Sequence, residues 1–265
     1  MAQTQTEELW RALAMGELPK ARRGRFALKF LPSNPRCKMC NAPFRGVGAP
    51  LMRLIGKRPA RQNPRFCSFC EEVTRRHPGG AEVEMSLIFA DVRGSTRLAE
   101  NSSPTDFARL MNRFYEATTR VLIETDALID KLVGDEVVAL YLPGFAGPAH
   151  AKRAIMAARR LLAETGHGRP GGPWLPIGIG VHTGTAYWGN VGSRETFTDV
   201  TALGDAVNVT SRLSSLAQGG EILASAAACD ASRLDLSGLE RRKLDLKGHS
   251  QPIEAIVWHA EAAPV

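Results

Sequence analysis

The sequence predicts an α+β protein, a ferredoxin-like split βαβ sheet with flanking helices, preceded by a small four-cysteine module. Three observations predict it. Beyond residue 83, apolar strands alternate with long amphipathic helices in the order β-α-β-β-α-β. Ahead of residue 71 stand two Cys-x-x-Cys pairs, separated by a Gly-, Pro- and Arg-rich segment with little core of its own. Between the two patterns lies a break at His77-Pro78-Gly79-Gly80.

A chain of 265 residues accommodates one or two domains, and 44% apolar content is ordinary for a globular core. The net charge of +7 is unevenly spread. Residues 1–80 hold 16 Lys/Arg against 5 Asp/Glu, and the remainder holds 18 against 22. Such asymmetry fits nucleic acid, an anionic membrane surface or an acidic partner, and a solvated basic module fits equally. No apolar run approaches the ~18 residues of a membrane span. The N-terminus MAQTQTEELW lacks a signal-peptide pattern. A cytoplasmic protein with reduced cysteines is expected.

Taken in order, residues 4–15 predict a short helix, with Thr4 and Glu7 at capping-box spacing and Leu9, Trp10 and Leu13 on one stripe. Residues 16–36, basic and broken by Gly and Pro, read as a connector, so that 1–36 forms an N-terminal helix and basic connector. Residues 37–70 form the four-cysteine, zinc-ribbon-like module. Cys37 and Cys40 follow Asn34-Pro35-Arg36, and Cys67 and Cys70 follow Asn63-Pro64-Arg65 with Phe66 interposed, a weak internal repeat of two knuckles. Four thiolates in paired turns suit a tetrahedral metal. Zinc leads, an iron–sulfur cluster is the alternative, and two unconnected redox motifs are the bland reading. Cys229 stands alone and reads as a buried small residue. Residues 71–82 read as a linker, 83–260 as the larger domain and 261–265 as a tail.

Within the larger domain, Val83 to Asp91 reads as a buried strand ending on a carboxylate. Arg93-Gly94 turns the chain, and Ser95 or Thr96 can cap the helix that follows. Helices are expected near 104–125 and 147–165, with a hairpin of strands 127–132 and 135–142 between them. A strand 175–184, a hairpin 186–201, a helix 204–216 and short strands to Trp258 complete the pattern. In a split βαβ unit the first strand lies antiparallel to the third, so Asp91 and Asp135 fall at one sheet edge. Two carboxylates there suit a two-metal phosphoryl site. An ordinary turn or capping Asp is the bland alternative.

At this point the domain from about 83 to 260 resembles the class III adenylate/guanylate cyclase catalytic domain. The stretches FADVRGST (89–96), KLVGDEVVALY (131–141), GIGVHTGTAYWGNVGS (178–193) and TALGDAVNVTSRL (201–213) carry the match, with a weaker one at LKGHSQPIEAIVW (246–258). The resemblance implies conversion of a nucleoside triphosphate to a 3′,5′-cyclic monophosphate and pyrophosphate. It implies two Mg²⁺ or Mn²⁺ ions on Asp91 and Asp135 with the Val92 carbonyl, and a triphosphate cradled by the loop of Val92, Arg93, Gly94, Ser95 and Thr96. Asn208 would orient the ribose, Arg212 would stabilise charge on the α-phosphate, and Lys247 would contact the terminal phosphates. Lys131 matches the adenine-reading lysine. Its partner position is Thr201, where many adenylate cyclases carry Asp and a bacterial subset Thr. A further departure is Ser95, where many members have Phe.

ATP is therefore the expected substrate, with GTP or a pyrimidine triphosphate as alternatives. The resemblance also implies sites at a homodimer interface, Asp91, Lys131 and Asp135 from one chain and Asn208 and Arg212 from its partner. The hairpin with Tyr187, Trp188 and Phe197 is a candidate dimerisation arm, or those aromatics are core. Val133-Gly134-Asp135-Glu136 is also similar to the diguanylate cyclase signature, but that family leaves the Asn208/Arg212 helix unexplained. A silent nucleotide-binding homologue is disfavoured by the presence of all four polar residues. The four-cysteine module is expected to regulate the cyclase through metal, redox state or a docking partner. Its few aromatics and lack of a recognition helix argue against nucleic acid.

Overall fold

The computed structural model describes residues 2–31, 35–61, 63–193, 198–246 and 251–260. Four helices come first: α1 (Ala2–Met15), α2 (Pro19–Lys29), α3 (Ala49–Leu54) and α4 (Ser68–Arg76). Then follow β1 (Gly80–Val92), α5 (Ser95–Glu100), α6 (Pro104–Glu124), β2 (Leu128–Val133), β3 (Glu136–Tyr141), α7 (Pro143–Ala146) and α8 (His150–Glu164). The chain closes with β4 (Ile177–Gly192), β5 (Thr198–Leu203), α9 (Asp205–Leu216), β6 (Glu221–Ser225), α10 (Ala226–Ser232), β7 (Glu240–Leu244) and β8 (Ile253–His259). The strand order is β2-β3-β1-β4-β6-β8-β7, with β5 paired to β4. Its first four strands are the split βαβ sheet that the sequence predicts. No described helix is long and apolar enough to cross a membrane.

Two compact units form. One comprises Met1–Val83, Leu142–Pro148 and Ala186–Leu203, and the other Glu84–Tyr141, Ala149–Thr185 and Gly204–Val265. In the second, β1 is buried without interruption from Met85 to Ala90. The apolar faces of the two expected helices are mostly core: Met111, Phe114, Val121 and Leu122 on α6, where Phe107 and Leu110 are half-buried, and Ala151, Ala154, Ile155, Ala158 and Leu162 on α8. One polar trio lies in this core, Ser86 Oγ 2.9 Å from His150 Nδ1 and 2.6 Å from Thr183 Oγ1. Its members satisfy one another, so burial leaves no orphan. Burial also holds His150 below its ordinary pKa, which keeps the ring neutral.

Helix α9 lies directly on the β4 backbone. A Cβ on Gly180 would sit 2.4 Å from both Ser214 N and Thr210 O, and one on Gly178 would sit 2.6 Å from Ala217 O. The two glycines of GIG are thus a seat for α9, which buries Val209 and Leu213 against Leu223, Ala255 and Val257.

The first unit is organised around Trp188 on the second half of β4. Its ring meets Trp10 edge-on at 5.1 Å and Phe145 at 5.8 Å, and it is wholly buried. Trp188 is therefore core within its own chain, not a dimerisation contact, and Phe197 lies outside the described residues. Two backbones touch nearby, where a Cβ on Gly189 would fall 2.3 Å from Gly80 Cα. Asn190 closes the seam, its N–H donating to Gly79 O at 2.7 Å and its amide to Thr74 O at 2.8 Å.

The helical content before residue 80 exceeds the expectation. The stretch 16–36 is not a plain connector but holds α2, because Pro19 stands in its first turn, where proline starts a helix instead of breaking one. The stretch 71–82 is not all linker either. Helix α4 runs through it to Arg76, supported by Glu72 reaching Arg75 at 2.8 Å and Arg76 at 2.6 Å. Strand 175–184 and the first arm of the 186–201 hairpin are one 16-residue strand, β4. Helix α1 begins at Ala2, ahead of the expected Thr4 cap.

Gly180→Ala tests the glycine seat. The added methyl has only backbone to meet, so α9 must shift. We expect a loss of about 1–3 kcal/mol in denaturant unfolding, whereas alanine at Gly24, which has open space and no positive φ, should cost nothing in packing.

Candidate active site and metal centre

The first site grows from the end of the β1–β3 ladder in the second unit. Antiparallel register pairs Asp91 with Glu136. Residues directly opposite in such a ladder project on one face. Val133 pairs with Glu136, so Gly134 and Asp135 form a two-residue hairpin loop. Gly134 turns it with φ +61°. Val92 N donates to Asp135 O at 3.1 Å, which fastens the loop to the end of β1. The Tyr115 hydroxyl donates to Gly134 O at 2.5 Å from α6. Asp91 and Asp135 thus meet at one sheet edge, with Glu136 beside them.

The electrostatics report this crowding. Burial raises the Asp91 carboxyl above its ordinary pKa; Arg93 opposes the rise and Asp135 adds to it. Burial raises Glu136 too, reinforced by Asp91 and Asp135, while Lys131 acts against the rise. Burial and then Asp135 raise the Tyr115 phenol. Three carboxylates at a half-buried edge, plus the Val92 carbonyl, are an oxygen donor set that suits hard divalent cations.

Arg93 has a larger part than its place in a phosphate loop suggests. Its guanidinium is ion-paired to Asp91. It also donates to Ser215 O at 3.1 Å and Ala217 O at 3.2 Å, capping the C-terminal end of α9. Its backbone N–H donates to Pro176 O at 2.8 Å. One side chain therefore ties the carboxylate edge to the helix that carries Asn208 and Arg212.

Those two residues lie four apart on α9, so they share a face. Asn208 is exposed and Arg212 half-buried. Neither makes a side-chain hydrogen bond or ion pair among the described residues. Lys131 is half-buried on β2, beside a bulge between Ile129 and Lys131. Thr201 belongs to the other unit, buried on β5 opposite Gly189. Ser95 and Thr96 do not cap α5. The N-cap is Gly94 in the left-handed conformation, φ +69°, with no side-chain bond, because the turn after Arg93 needs a positive φ there. Lys247 lies outside the described residues. The sequence reading missed Glu136 and Tyr115 as members of the site. Glu136 could have been found from the strand register, but Tyr115 had no signal beyond its place in a helix.

The second site lies in the first unit. The Sγ atoms of Cys37, Cys40, Cys67 and Cys70 all lie within 4.8 Å of one another. None is in a disulfide. Cys40 and Cys67 stand 3.7 Å apart, close to the ~3.8 Å edge of a tetrahedron with ~2.3 Å metal–sulfur bonds. The knuckles are built by backbone: Asn41 N donates to Cys37 O at 2.9 Å, with Asn41 at φ +59°, and Lys38 N donates to Arg65 O at 2.8 Å. Hydrogen bonds from the neighbouring cysteines, helped by Lys57, hold Cys40 far below its ordinary pKa, as a thiolate. Hydrogen bonds within the cluster lower Cys67 as well, foremost that with Cys37. Burial first raises Cys37, whereas its sulfur neighbours are the chief cause of the rise at Cys70. A metal cation would make all four thiolates favourable, so the donors fit a tetrahedral ion.

Comparison with known proteins agrees with this geometry. Residues 80–258 match the family model of the adenylate and guanylate cyclase catalytic domain. An adenylate cyclase of Anabaena cylindrica is 34% identical over 136 residues, covering 50% of this chain and 27% of the relative. The guanylyl cyclase Cya2 is similar in structure, with a TM-score of 0.61 and 26% identity, covering 68% of this chain and 93% of its own. The adenylyl cyclase CyaB from P. aeruginosa follows, with a TM-score of 0.59 and 25% identity, covering 69% and 97%. The chain spans about a third of the length of the first of its curated relatives. With the split βαβ sheet, the carboxylate edge and the Asn208/Arg212 helix in place, the chain belongs to the class III adenylate and guanylate cyclase family, whose catalytic domain occupies residues 80–258.

Proposed function

We propose that this protein is an adenylate cyclase, converting ATP to 3′,5′-cyclic AMP and pyrophosphate in a homodimer. The observation that carries the reading is the division of labour within one chain. Asp91, Asp135 and Glu136 gather at one sheet edge, while Asn208 and Arg212 stand on α9 with no partner of their own among the described residues. A symmetric pair of such chains uses both sets twice.

Mg²⁺ or Mn²⁺, held by Asp91, Asp135 and the Val92 carbonyl, would supply charge neutralisation for the triphosphate and a lower pKa for the ribose 3′-hydroxyl. The protein residues do the positioning. The loop from Val92 to Thr96, with Lys247, takes the phosphates. Asn208 orients the ribose so that its 3′-oxygen attacks the α-phosphorus in line. As that bond forms, the bond to the bridging oxygen breaks and pyrophosphate leaves. Arg212 offers a planar, charged donor fork to the oxygens that gain charge. Lys131 and Thr201 read the base. Threonine both donates and accepts, which suits the N6 amino group of adenine. Similarity to Cya2 keeps GTP as the second reading.

The four-cysteine module is proposed to hold zinc and to regulate the cyclase through β5. Three residues of its knuckles converge on Asp199, two positions before Thr201. Lys38 Nζ lies 3.7 Å from its carboxylate, Arg65 Nη1 3.0 Å, and the Asn63 amide 3.2 Å. Lys38 also donates to Val200 O. Because Lys38 sits between Cys37 and Cys40, loss of the metal would loosen this grip on the strand that bears Thr201.

Four outcomes are expected. Purified protein with Mn²⁺ should form cyclic AMP from ATP, and little product from GTP, CTP or UTP; chromatography of the products decides, and cyclic GMP alone would overturn the base assignment. Asp135→Ala and Arg212→Ala should each lower kcat by at least ~100-fold, and mixing the two should restore activity through one intact composite site. No recovery in proven mixed dimers would sink the shared-site model. Asp199→Ala should destabilise the protein by about 3 kcal/mol, since it takes the carboxylate away from the buried Lys38 charge, whose side chain is 4% exposed. Arg65→Ala, whose own side chain is 41% exposed, should cost about 1 kcal/mol or less. Chelation that removes one zinc per chain should lower activity in the native protein and less so in Asp199→Ala, where the carboxylate link is cut and the contact of Lys38 with the Val200 backbone still joins the knuckles to β5.

A further inference from the structure

One surface of the first unit has no part in the cyclase chemistry. Residues 18–70 contain 13 Lys/Arg and not one Asp or Glu. Within this stretch lies an apolar tip. Helix α3 buries Ala49 and Met52 and turns its other face outward, leaving Leu51 54%, Leu54 84% and Ile55 60% exposed. Phe69, 61% exposed, lies alongside. Ser68 N donates to Arg58 O at 2.8 Å and Ser68 Oγ to Gly56 O at 2.6 Å, which sets the start of α4 against the end of the α3 loop. Lys57 Nζ stands 5.6 Å from the Phe69 ring centre. Arg53, Arg58 and Arg61 are exposed around the same tip.

Four large apolar side chains held in water, ringed by cations, need an explanation that uses both. The module does not need them for its own stability, because the cysteine cluster staples it. A second copy of this surface would set cation against cation and be repelled. A nucleic acid would use the arginines but not Leu51, Leu54 and Ile55, since sequence-tolerant strand binding stacks bases on aromatic rings. Two short apolar segments offer far less than the ~800 Å² per side of a stable protein interface. A bilayer interface uses the whole pattern: aliphatic side chains enter the acyl boundary while Arg and Lys stay among anionic headgroups.

We propose that the α3 tip and Phe69 dock this protein peripherally on an anionic lipid surface. The proposal is independent of the nucleotide that the cyclase uses. Sedimentation of the full-length protein with phosphatidylcholine vesicles, with and without about 30% phosphatidylserine, tests it. The native protein should sediment with the anionic vesicles only, and less so as salt rises from about 0.1 to 0.5 M. Leu54→Ser/Ile55→Ser and Arg53→Gln/Arg58→Gln should each weaken vesicle binding at least ~10-fold, with the unfolding midpoint and cyclase activity unchanged. Leu54→Trp gives a second readout that needs no loss of function: its emission should shift to the blue on anionic vesicles and be quenched by brominated acyl chains. Failure to sediment would overturn the proposal. So would full binding by Leu54→Ser/Ile55→Ser, which would mean adsorption of a basic protein, or tighter binding to an RNA or DNA oligonucleotide than to vesicles at the same salt.

Discussion

Like charges are forced together at the end of the β1–β3 ladder, and the catalytic face follows from that constraint. The run from Met85 to Ala90 is buried on both faces and its ends set the register of β1, because a slip of one residue would draw the Asp91 carboxylate into the core. With the register fixed, Asp91 stands opposite Glu136 and the two-residue loop brings Asp135 beside them. Burial makes Asp91 and Glu136 harder to ionise, and the neighbouring Asp135 adds to the cost at both. Arg93 relieves part of this charge and divalent cations would relieve more. The fold thus stores an electrostatic demand that a metal-bound polyphosphate, the substrate class proposed above, is suited to meet.

Arg93 gives the same edge a mechanical partner. Its link to Ser215 and Ala217 holds the end of α9, and the glycine seat on β4 holds the middle. Asn208 and Arg212 are therefore mounted on a helix fixed at two places, with their side chains unengaged. A rigid mount with unpaired polar groups is how a site is kept ready at little reorganisation cost.

The first unit works by the opposite arrangement of charge. It is rich in cations, and one of its buried ones, Lys38, is balanced by Asp199 of the β4–β5 hairpin. The buried pair ties the cysteine knuckles to β5 more firmly than an exposed pair would, because neither partner is readily given up to water. Trp188 and the Gly80–Gly189 contact add packing to the same seam.

Residue types and spacing were enough for the sequence alone to determine the split βαβ order, the carboxylate pair, the α9 face and the four-cysteine donor set. Period-2 and period-3.6 patterns report which residues are buried, and short motifs report which chemistry the backbone can present. Helix α2 escaped because proline and glycine were read as breaks, although proline at a first turn is a start. Only the tertiary structure decided that Glu136 and Tyr115 join the site, that Arg93 caps α9, and that the hairpin after Thr185 belongs with the N-terminal module. Each of these rests on contacts between residues far apart in sequence, such as Lys38 with Asp199 or Trp10 with Trp188. Local pattern carries no trace of such contacts, because they come from register, close backbone approach and charge pairing across the folded chain.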